Sequence, residues 1–533
     1  MKAPLWVALG LGLASLLLLA NLAGLLPARH GLLYEDPAGR FSLRIPREVQ
    51  LIEQGEDHVH WAVGTPPVEI YVDVLHTASL TEGIETTFRN VGQDPGLLTI
   101  AGSGSLGSWT IQQYAASEGS TATLAAQVRG ECCYVLMALG DSALLTPAPP
   151  MSLMQMFESF RFTGAAGKPW RPSSFLEFEA AVDRAAMENG GSISIAAFKN
   201  DGIAYTYTTG YSDPLNGVPA DTMTTYPWFS ITKIATATAV MQLVESGQVG
   251  LDDPISEFVP EYSSLSVSTR QLLSHSSGLP DRSVYHLIEL PGESCLDIRG
   301  VSEAYAASFQ ELAYVPGTRW CYNNYDYLVL GRLVEEVSGL GYATYVAKNI
   351  LEPLGMIDTG FQYAGALLEH AAYPVLSRVH TDEFVNLLSE GAPCGDPTRF
   401  IRISEGNWTY LRCFEILAPW AGLIGTVTDA AAFVAAHLHG GIWNGVRILT
   451  PDSVRAMQAM QTTPTGELLG FGLGWVIPNA EDEPIVEHAG GAGAGESMVR
   501  LYPERDLGII VMGNMSGYHP GTLITYLAEL LPE

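Results

Sequence analysis

The longest apolar run opens the chain: from Pro4 to Ala28 the only polar side chains are Ser15 and Asn21, with Lys2 ahead of them. A run of that length can span a bilayer, so residues 1–30 read as a membrane anchor or a secretion signal. A retained anchor is favoured, because a signal's apolar region usually covers ~7 to 15 residues and no A-x-A site follows. Arg29, Arg40, Arg44 and Arg47 just past the run pull the other way, since the positive-inside bias alone would keep that side cytoplasmic. Beyond it the pattern shortens. Apolar and polar positions alternate over residues 41–45, 58–63, 68–75, 109–115 and 122–139, which predicts strands. Helical spacing over 153–160 and a last strand at 161–163 complete a small α+β domain over 31–165. His58 and His60 share one strand face, but no third ligand is in view, and they read as packed or solvated histidines rather than a metal pair.

A linker rich in Gly, Ala and Pro covers 164–172. Ser174 to Glu177 then has the form of a capping box, and Phe175, Phe178, Val182 and Ala185 supply an apolar stripe closed by Gly190. Residues 193–198 and 203–209 flank Asn200, Asp201 and Gly202, a hairpin signal. Late in the chain, 472–477, 485–488, 497–502 and 507–512 read as strands and 522–531 as a closing helix. The pattern between is mostly helical. The predicted class of residues 172–533 is therefore α+β, with one antiparallel sheet built from both ends, helices against it and a helical subdomain beside it.

Composition narrows the function classes. The 533 residues exceed what one core supports, in line with an anchor and two domains. There are 57 acidic and 27 basic residues, a formal charge of -30, and no basic run, which excludes nucleic acid as a partner. Hydrophobic residues at 47% exclude whole-chain disorder. None of Cys132, Cys133, Cys295, Cys321, Cys394 and Cys413 falls in a C-x-x-C pair, which argues against structural zinc. They suit one or two disulfides outside the cytoplasm, Cys394 to Cys413 first, or equally buried free thiols.

Lysine is confined to Lys2, Lys168, Lys199, Lys233 and Lys348, and of these Lys233 alone follows a serine by three. Phe229-Ser230-Ile231-Thr232-Lys233 opens a predicted helix with apolar Ile234, Met241, Leu243 and Val244 and a stop at Gly247. Residues three apart share a helix face, so the Lys233 amine lies beside the Ser230 hydroxyl. A desolvated amine can accept or relay that proton, while helix-end N–H groups favour developing negative charge. The plain alternative is a surface Lys233 and a Ser230 that only caps the helix. In the turn-rich stretch Pro316 to Asn324, Tyr322 and Asn324 bracket one residue and can point into one cleft, the phenol for proton transfer and the amide for hydrogen bonding. A buried tyrosine and a turn-forming asparagine would leave the same pattern. In His488-Ala489-Gly490-Gly491 the glycines let a ligand approach the backbone, and a free N–H there can pair with that of Ser230 as an oxyanion hole.

The order Ser-x-x-Lys, Tyr-x-Asn, His-x-Gly resembles the beta-lactamase-related serine hydrolases: class C beta-lactamases, D-alanyl-D-alanine carboxypeptidases and related esterases. Ser274 to Pro280, Glu352 to Met356 and Phe471 to Trp475 resemble further stretches of that family. The resemblance implies acyl transfer through a serine ester with no cofactor and no metal, Ser230 the nucleophile and Lys233 and Tyr322 sharing the proton. Asn324, His488 and Gly490 would bind substrate, and Ser230 and Gly491 would form the oxyanion hole. His488 stands where the lactamases carry lysine, and its neutral form cannot anchor a carboxylate, which favours an ester or peptide substrate over a beta-lactam. A penicillin-recognising or wall-binding module that does not turn over is the rival from another class. The implied partner is a small-molecule or peptide substrate, with the membrane reached through the N-terminal segment. The implied location is extracytoplasmic, anchored, or secreted if the segment is cleaved. The oligomeric state is not readable. Residues 281–307 and 364–420 are long irregular stretches, expected as lids or binding loops, and Asp429 is expected as scaffold.

Overall fold

The computed structural model describes the strands and the one helix of residues 31–162 and most of 171–531. Residues 1–30, 142–160, 163–170, 281–287, 290–296 and 378–400, with shorter connecting stretches, lie outside the described residues. The expected membrane-spanning helix is corrected accordingly. Among the described residues no helix is long and apolar enough to cross a membrane, and the 4–28 run that carried the expectation is outside them. The Cys394 to Cys413 pairing and the 153–160 helix also fall outside. Cys133 is a buried free thiol whose pKa burial pushes up to about 11.

The chain divides into two compact units, Met1–Arg171 and Pro172–Glu533. In the first, a seven-stranded antiparallel sheet runs in the order Gln50–Gln54, His58–Val63, Val68–Leu75, Cys132–Asp141, Ser120–Arg129, Trp109–Ala115, Thr99–Leu106. Ile84 and Phe88 of the Leu80–Asn90 helix pack on Leu124, Ala126, Val135 and Met137. The single strand expected over 122–139 is two, because Arg129 pairs with Cys132 and leaves a two-residue connection. Its glycine, Gly130, is the hairpin signal in the sequence. His60 stacks on the Tyr71 ring with centroids 4.1 Å apart.

The second unit holds a six-stranded antiparallel sheet in the order Val218–Pro219, Gly202–Asp213, Ser192–Lys199, Leu507–Gly513, Glu496–Tyr502, Val486–Gly491. Both ends of the unit therefore meet in its middle, with Ile193 opposite Gly513. Every residue of Leu507–Gly513 is buried, so both faces are covered. Ile510 and Met512 join the main core with Phe433 and Val434 of the Val427–Leu438 helix, and the Phe175–Asn189 and Pro520–Leu530 helices pack against the sheet as well. Ser174 caps the Phe175–Asn189 helix by accepting from the Glu177 N–H, while the Glu177 carboxylate reaches back to Ser173 rather than to Ser174. Gly190 ends the helix at φ 73°.

One predicted strand is a turn. Over 472–477 the Gly472 N–H bonds to the Trp475 carbonyl at 2.8 Å, and only Val476 bridges to the sheet, at Glu487. Gly474 at φ 88° breaks the extended run, and the turn buries Leu473 and Trp475 instead. The Thr232–Glu245 helix also departs from expectation. It is buried nearly all round rather than along one stripe, because Ala235, Thr236, Ala237, Thr238 and Ala239 are small enough to let neighbours close on every face. The Asn324–Ser338 helix packs directly on it. These two helices, one turn and one sheet edge make the site.

Candidate active site

Ser230 lies in the single 3-10 turn Phe229–Ile231 that leads straight into Thr232–Glu245. It caps nothing: no side-chain cap bond forms at either start. Phe229, just before it, is held at φ 50°, a left-handed conformation that costs a bulky residue energy and persists only where the surroundings impose it. The surroundings are the neighbouring strands. Ser497 Oγ donates to the Trp228 carbonyl at 2.9 Å, and a Cβ added at Gly490 would fall 2.5 Å from that same oxygen and 2.9 Å from Phe229 Cβ. The edge strand Val486–Gly491 thus presses on the serine turn through a residue with no side chain.

Lys233 is fully buried, and its ammonium spends its donors on Asn324 Oδ1 at 2.7 Å, the Trp420 carbonyl at 3.1 Å and Ser230 Oγ at 3.2 Å. Burial holds its pKa well below the ordinary lysine value, with the Asp326 carboxyl group opposing part of that shift. Tyr322 Oη donates to Ser230 Oγ at 2.9 Å, and the Lys233 nitrogen also sits 4.9 Å from the centre of its ring. Asn324 begins the Asn324–Ser338 helix, whose cap is the preceding residue: Asn323 accepts from the Tyr325 N–H at 2.9 Å, leaving the Asn324 amide for the site. A serine hydroxyl flanked by a desolvated amine and a phenol can lose its proton to the unprotonated amine, directly or with the phenol relaying it, and attack a carbonyl carbon.

Ser230, Lys233, Tyr322 and Asn324 are brought into one hydrogen-bonded group. Gly490 and Gly491 lie beside it on the edge strand, opposite Ser497 and Glu496. His488 is on the same strand, yet no bond to that group is formed by its ring. Its Nδ1 pairs with the Ala489 carbonyl at 2.7 Å and its Nε2 has no partner among the described residues. Burial, and after it the Lys233 charge, push its pKa down to about 3, so the imidazole is neutral at physiological pH. Asp429 accepts from the Asp358 N–H and the Thr359 hydroxyl, both at 2.9 Å, a structural arrangement away from these residues.

Sequence reasoning missed three participants. The Trp420 carbonyl is a backbone group, which residue type cannot announce. His275 and Asp326 lie behind the site: His275 Nδ1 is 2.9 Å from Asp326 Oδ2, and its ring packs on that of Tyr322 with centroids 4.4 Å apart. Asp326 had a signal, a carboxylate inside the apolar run Tyr325 to Leu330.

Comparison with known proteins places these residues in context. A family model described as Beta-lactamase matches residues 180–531. Penicillin-binding protein 4* of Bacillus subtilis is 24% identical over 327 residues, covering 60% of this chain and 67% of that protein. Protein flp of Staphylococcus aureus is 23% identical over 348 residues, and the match spans 63% of this chain and 61% of that protein's length. Among solved structures, the octameric penicillin-binding protein homologue from Pyrococcus abyssi superposes with a TM-score of 0.53 at 25% identity, over 67% of this chain and 77% of the other. A hydrolase with promiscuous acyltransferase activity, EstCE1, gives a TM-score of 0.52 at 19% identity over 66% and 98%, a likeness of fold.

Proposed function

The chain belongs to the beta-lactamase family, and we propose that within it this protein is a serine hydrolase working through an acyl-enzyme on Ser230. The observation that carries the reading is the pair of bonds on one oxygen: Lys233 Nζ and Tyr322 Oη both reach Ser230 Oγ, at 3.2 and 2.9 Å. In the neutral state favoured by its burial, Lys233 takes the Ser230 proton directly or by way of Tyr322 as the oxygen attacks. The backbone N–H groups of Ser230 and Gly491 then hold the oxyanion, and Tyr322 gives its proton to the leaving group and is reprotonated from the Lys233 ammonium, which returns the amine to its neutral state. Water attacks the ester in the reverse sense and frees the enzyme. Asn324 orients the acyl group.

His488 supports one substrate class over another. A neutral, buried imidazole offers no fixed positive charge to a substrate carboxylate, which supports an ester or amide substrate over a beta-lactam or a free C-terminal peptide. The names of the relatives, penicillin-binding proteins, keep a carboxypeptidase or lactamase activity as the second reading. A fluorescent penicillin and a fluorophosphonate are the probes. The wild type is expected to be labelled and Ser230→Ala not. Equal labelling of both overturns the mechanism, and labelling without turnover of any ester, amide or cephalosporin supports a binding module instead.

A further inference from the structure

The stretch Ser274 to Pro280 takes no part in the reaction just described, yet it is among the most constrained in the chain. His275 is held at φ 54° and is fully buried with Ser274, Ser276 and Ser277. Its main chain is tied to the loop that delivers Tyr322: Gly317 N–H bonds to the Ser276 carbonyl at 2.7 Å, Ala313 N–H to Gly278 at 2.7 Å, and Cys321 N–H to His275 at 2.8 Å. Asn323 Nδ2 donates to the Leu279 carbonyl at 2.8 Å. The His275 ring fills the space between Tyr322, Tyr327 and Phe471, with centroids 4.4, 5.1 and 5.0 Å away.

At the centre of this packing is a carboxyl group. Asp326, fully buried in the first turn of Asn324–Ser338, receives the Ser277 hydroxyl at 2.5 Å on Oδ1 and meets His275 Nδ1 at 2.9 Å on Oδ2. Burying a charge is costly unless something compensates it. Among the described residues, His275 pairs with Asp326 directly, and Tyr305, Tyr314, Tyr327 and Lys233 feel its charge. Burial raises all three phenols above the ordinary tyrosine value and holds His275 well below the ordinary histidine value, so all four are neutral at physiological pH. The Lys233 amine lies close by, bonded to Asn324 Oδ1 at 2.7 Å and 5.7 Å from the centre of the Tyr327 ring, and the Asp326 carboxyl group opposes the fall in its pKa. The amine's direct partners, by contrast, are the neutral oxygens of Ser230, Asn324 and Trp420.

We propose that Asp326 is a positioning residue for the reaction: its carboxylate is the buried countercharge of Lys233 and, through His275, anchors the ring packing that aims Tyr322 at Ser230. The proposal rests on the serine-ester reading above. Asp326 touches neither the serine nor a substrate. Its effect reaches the chemistry through the amine, whose basicity falls if the opposing charge is removed, and through the phenol, whose ring loses its backing.

Asp326→Asn deletes the charge and keeps an acceptor for Ser277. If neutral Lys233 is the base, the acid limb of the kcat/KM profile marks its deprotonation. That limb should move to lower pH by about one unit or more, the usual effect of losing a close opposite charge. Ser277→Ala removes a hydrogen bond from the same carboxylate but no charge, and should leave the limb where the wild type has it. Asp326→Glu should also keep it. If Asp326→Asn does not fold, Asp326→Ser removes the charge with a smaller side chain and reads the same shift. An unmoved limb in a charge-deleting variant that still labels at Ser230 overturns the proposal alone. A wild type that never labels overturns the serine-ester reading, and this proposal with it.

Discussion

Lys233 Nζ donates to Asn324 Oδ1 at 2.7 Å, across 91 positions of chain, and this bond joins the two helices that build the site. It is shorter than the 3.2 Å contact from the same nitrogen to Ser230, so the amine is fixed by the amide while it remains in reach of the hydroxyl.

From this geometry comes the first expectation, on pH. The ordinary lysine titrates near 10.4, and Lys233 is held well below that by burial. The neutral amine needed as a base is therefore populated at lower pH than an exposed lysine would allow, and kcat/KM should rise with pH through an acid limb below the lysine range. Lys233→Arg fixes the positive charge and Lys233→Met removes the amine. Each should lose at least about 100-fold in kcat/KM, the lower end for general acid–base catalysis. The same shift has a stability sign. The unfolded chain holds the Lys233 proton to higher pH than the folded one, so between the two pKa values stability rises with pH. An acid limb at the pKa of an exposed lysine, or full activity in Lys233→Arg, would remove Lys233 from the mechanism.

His488 sets the second expectation, on charge selectivity. With its pKa near 3 the ring stays neutral across the working range and contributes no limb near pH 6.5. An ester carrying a carboxylate on the acyl side should gain nothing over its neutral counterpart, and the ratio of their kcat/KM values should be flat from pH 5 to 8. A short-chain nitrophenyl ester should also be turned over faster than a chromogenic cephalosporin. A preference for the carboxylated ester that grows as pH falls through 6.5 would show a charged His488 and reverse the substrate class.

Local spacing made half of this site legible and left the other half hidden. Ser230 and Lys233 are three residues apart on the chain, and Tyr322 and Asn324 two, so helix and loop periodicity reach them directly. Asp326 meets His275 across 51 positions and Ser277 across 49, and only the packing of Asn324–Ser338 against the 274–280 loop creates those contacts. The fold divides the same way. Apolar runs located the central strands Ser192–Lys199 and Leu507–Gly513, which are buried on both faces, and helical spacing located the closing helix. Periodicity failed at 472–477, where the apolar pattern is that of a strand but Gly474 turns the chain, and over 122–139, where the alternation runs on through a hairpin.

Gly490 and Gly491 are adjacent and should behave differently. A Cβ at Gly490 would meet the Trp228 carbonyl at 2.5 Å, Ser497 Oγ at 2.6 Å and Phe229 Cβ at 2.9 Å. Two of those belong to the turn that carries Ser230, and a backbone oxygen cannot swing aside as a long side chain can. Gly490→Ala should therefore displace the nucleophile, cost about 1–3 kcal/mol of stability by overpacking and cut kcat by more than tenfold. Among the described residues the nearest atoms at Gly491 are the Gly495 carbonyl at 3.4 Å and Glu496 Cγ at 3.7 Å, ordinary contact. Gly491→Ala keeps its N–H and should leave both stability and kcat close to wild type. Kinetics and thermal melting of the two variants check the contrast, and equal effects would contradict the placement of the strand against the serine turn.

Arg332 tests stability apart from chemistry. Its guanidinium is buried in the Asn324–Ser338 helix and is paired with Glu261 at 3.1 Å, Glu335 at 2.7 Å and Glu336. Glu336 also receives Arg299 at 2.7 Å, so one cation can leave without stripping every partner from that carboxylate. Arg332→Met keeps an apolar stem of similar length and leaves the carboxylates facing an uncharged thioether. The three glutamates are only partly buried and water can screen them, so the cost should be about 2 kcal/mol, below the ~3–5 kcal/mol of breaking a wholly buried pair. The acid side gives a sharper reading. Arg332 is the first cause that lowers the Glu336 pKa in the folded chain, so its stabilisation is present above the unfolded glutamate value of about 4.3 and is lost as pH falls through the lower folded value. Urea midpoints measured between pH 7 and pH 3 should therefore fall less steeply for Arg332→Met than for the wild type. Ser230 labelling of the folded variant at pH 7 should be unchanged, because Arg332 lies beyond the residues that touch the serine; an altered labelling rate with an unchanged urea midpoint would place Arg332 in the chemistry instead.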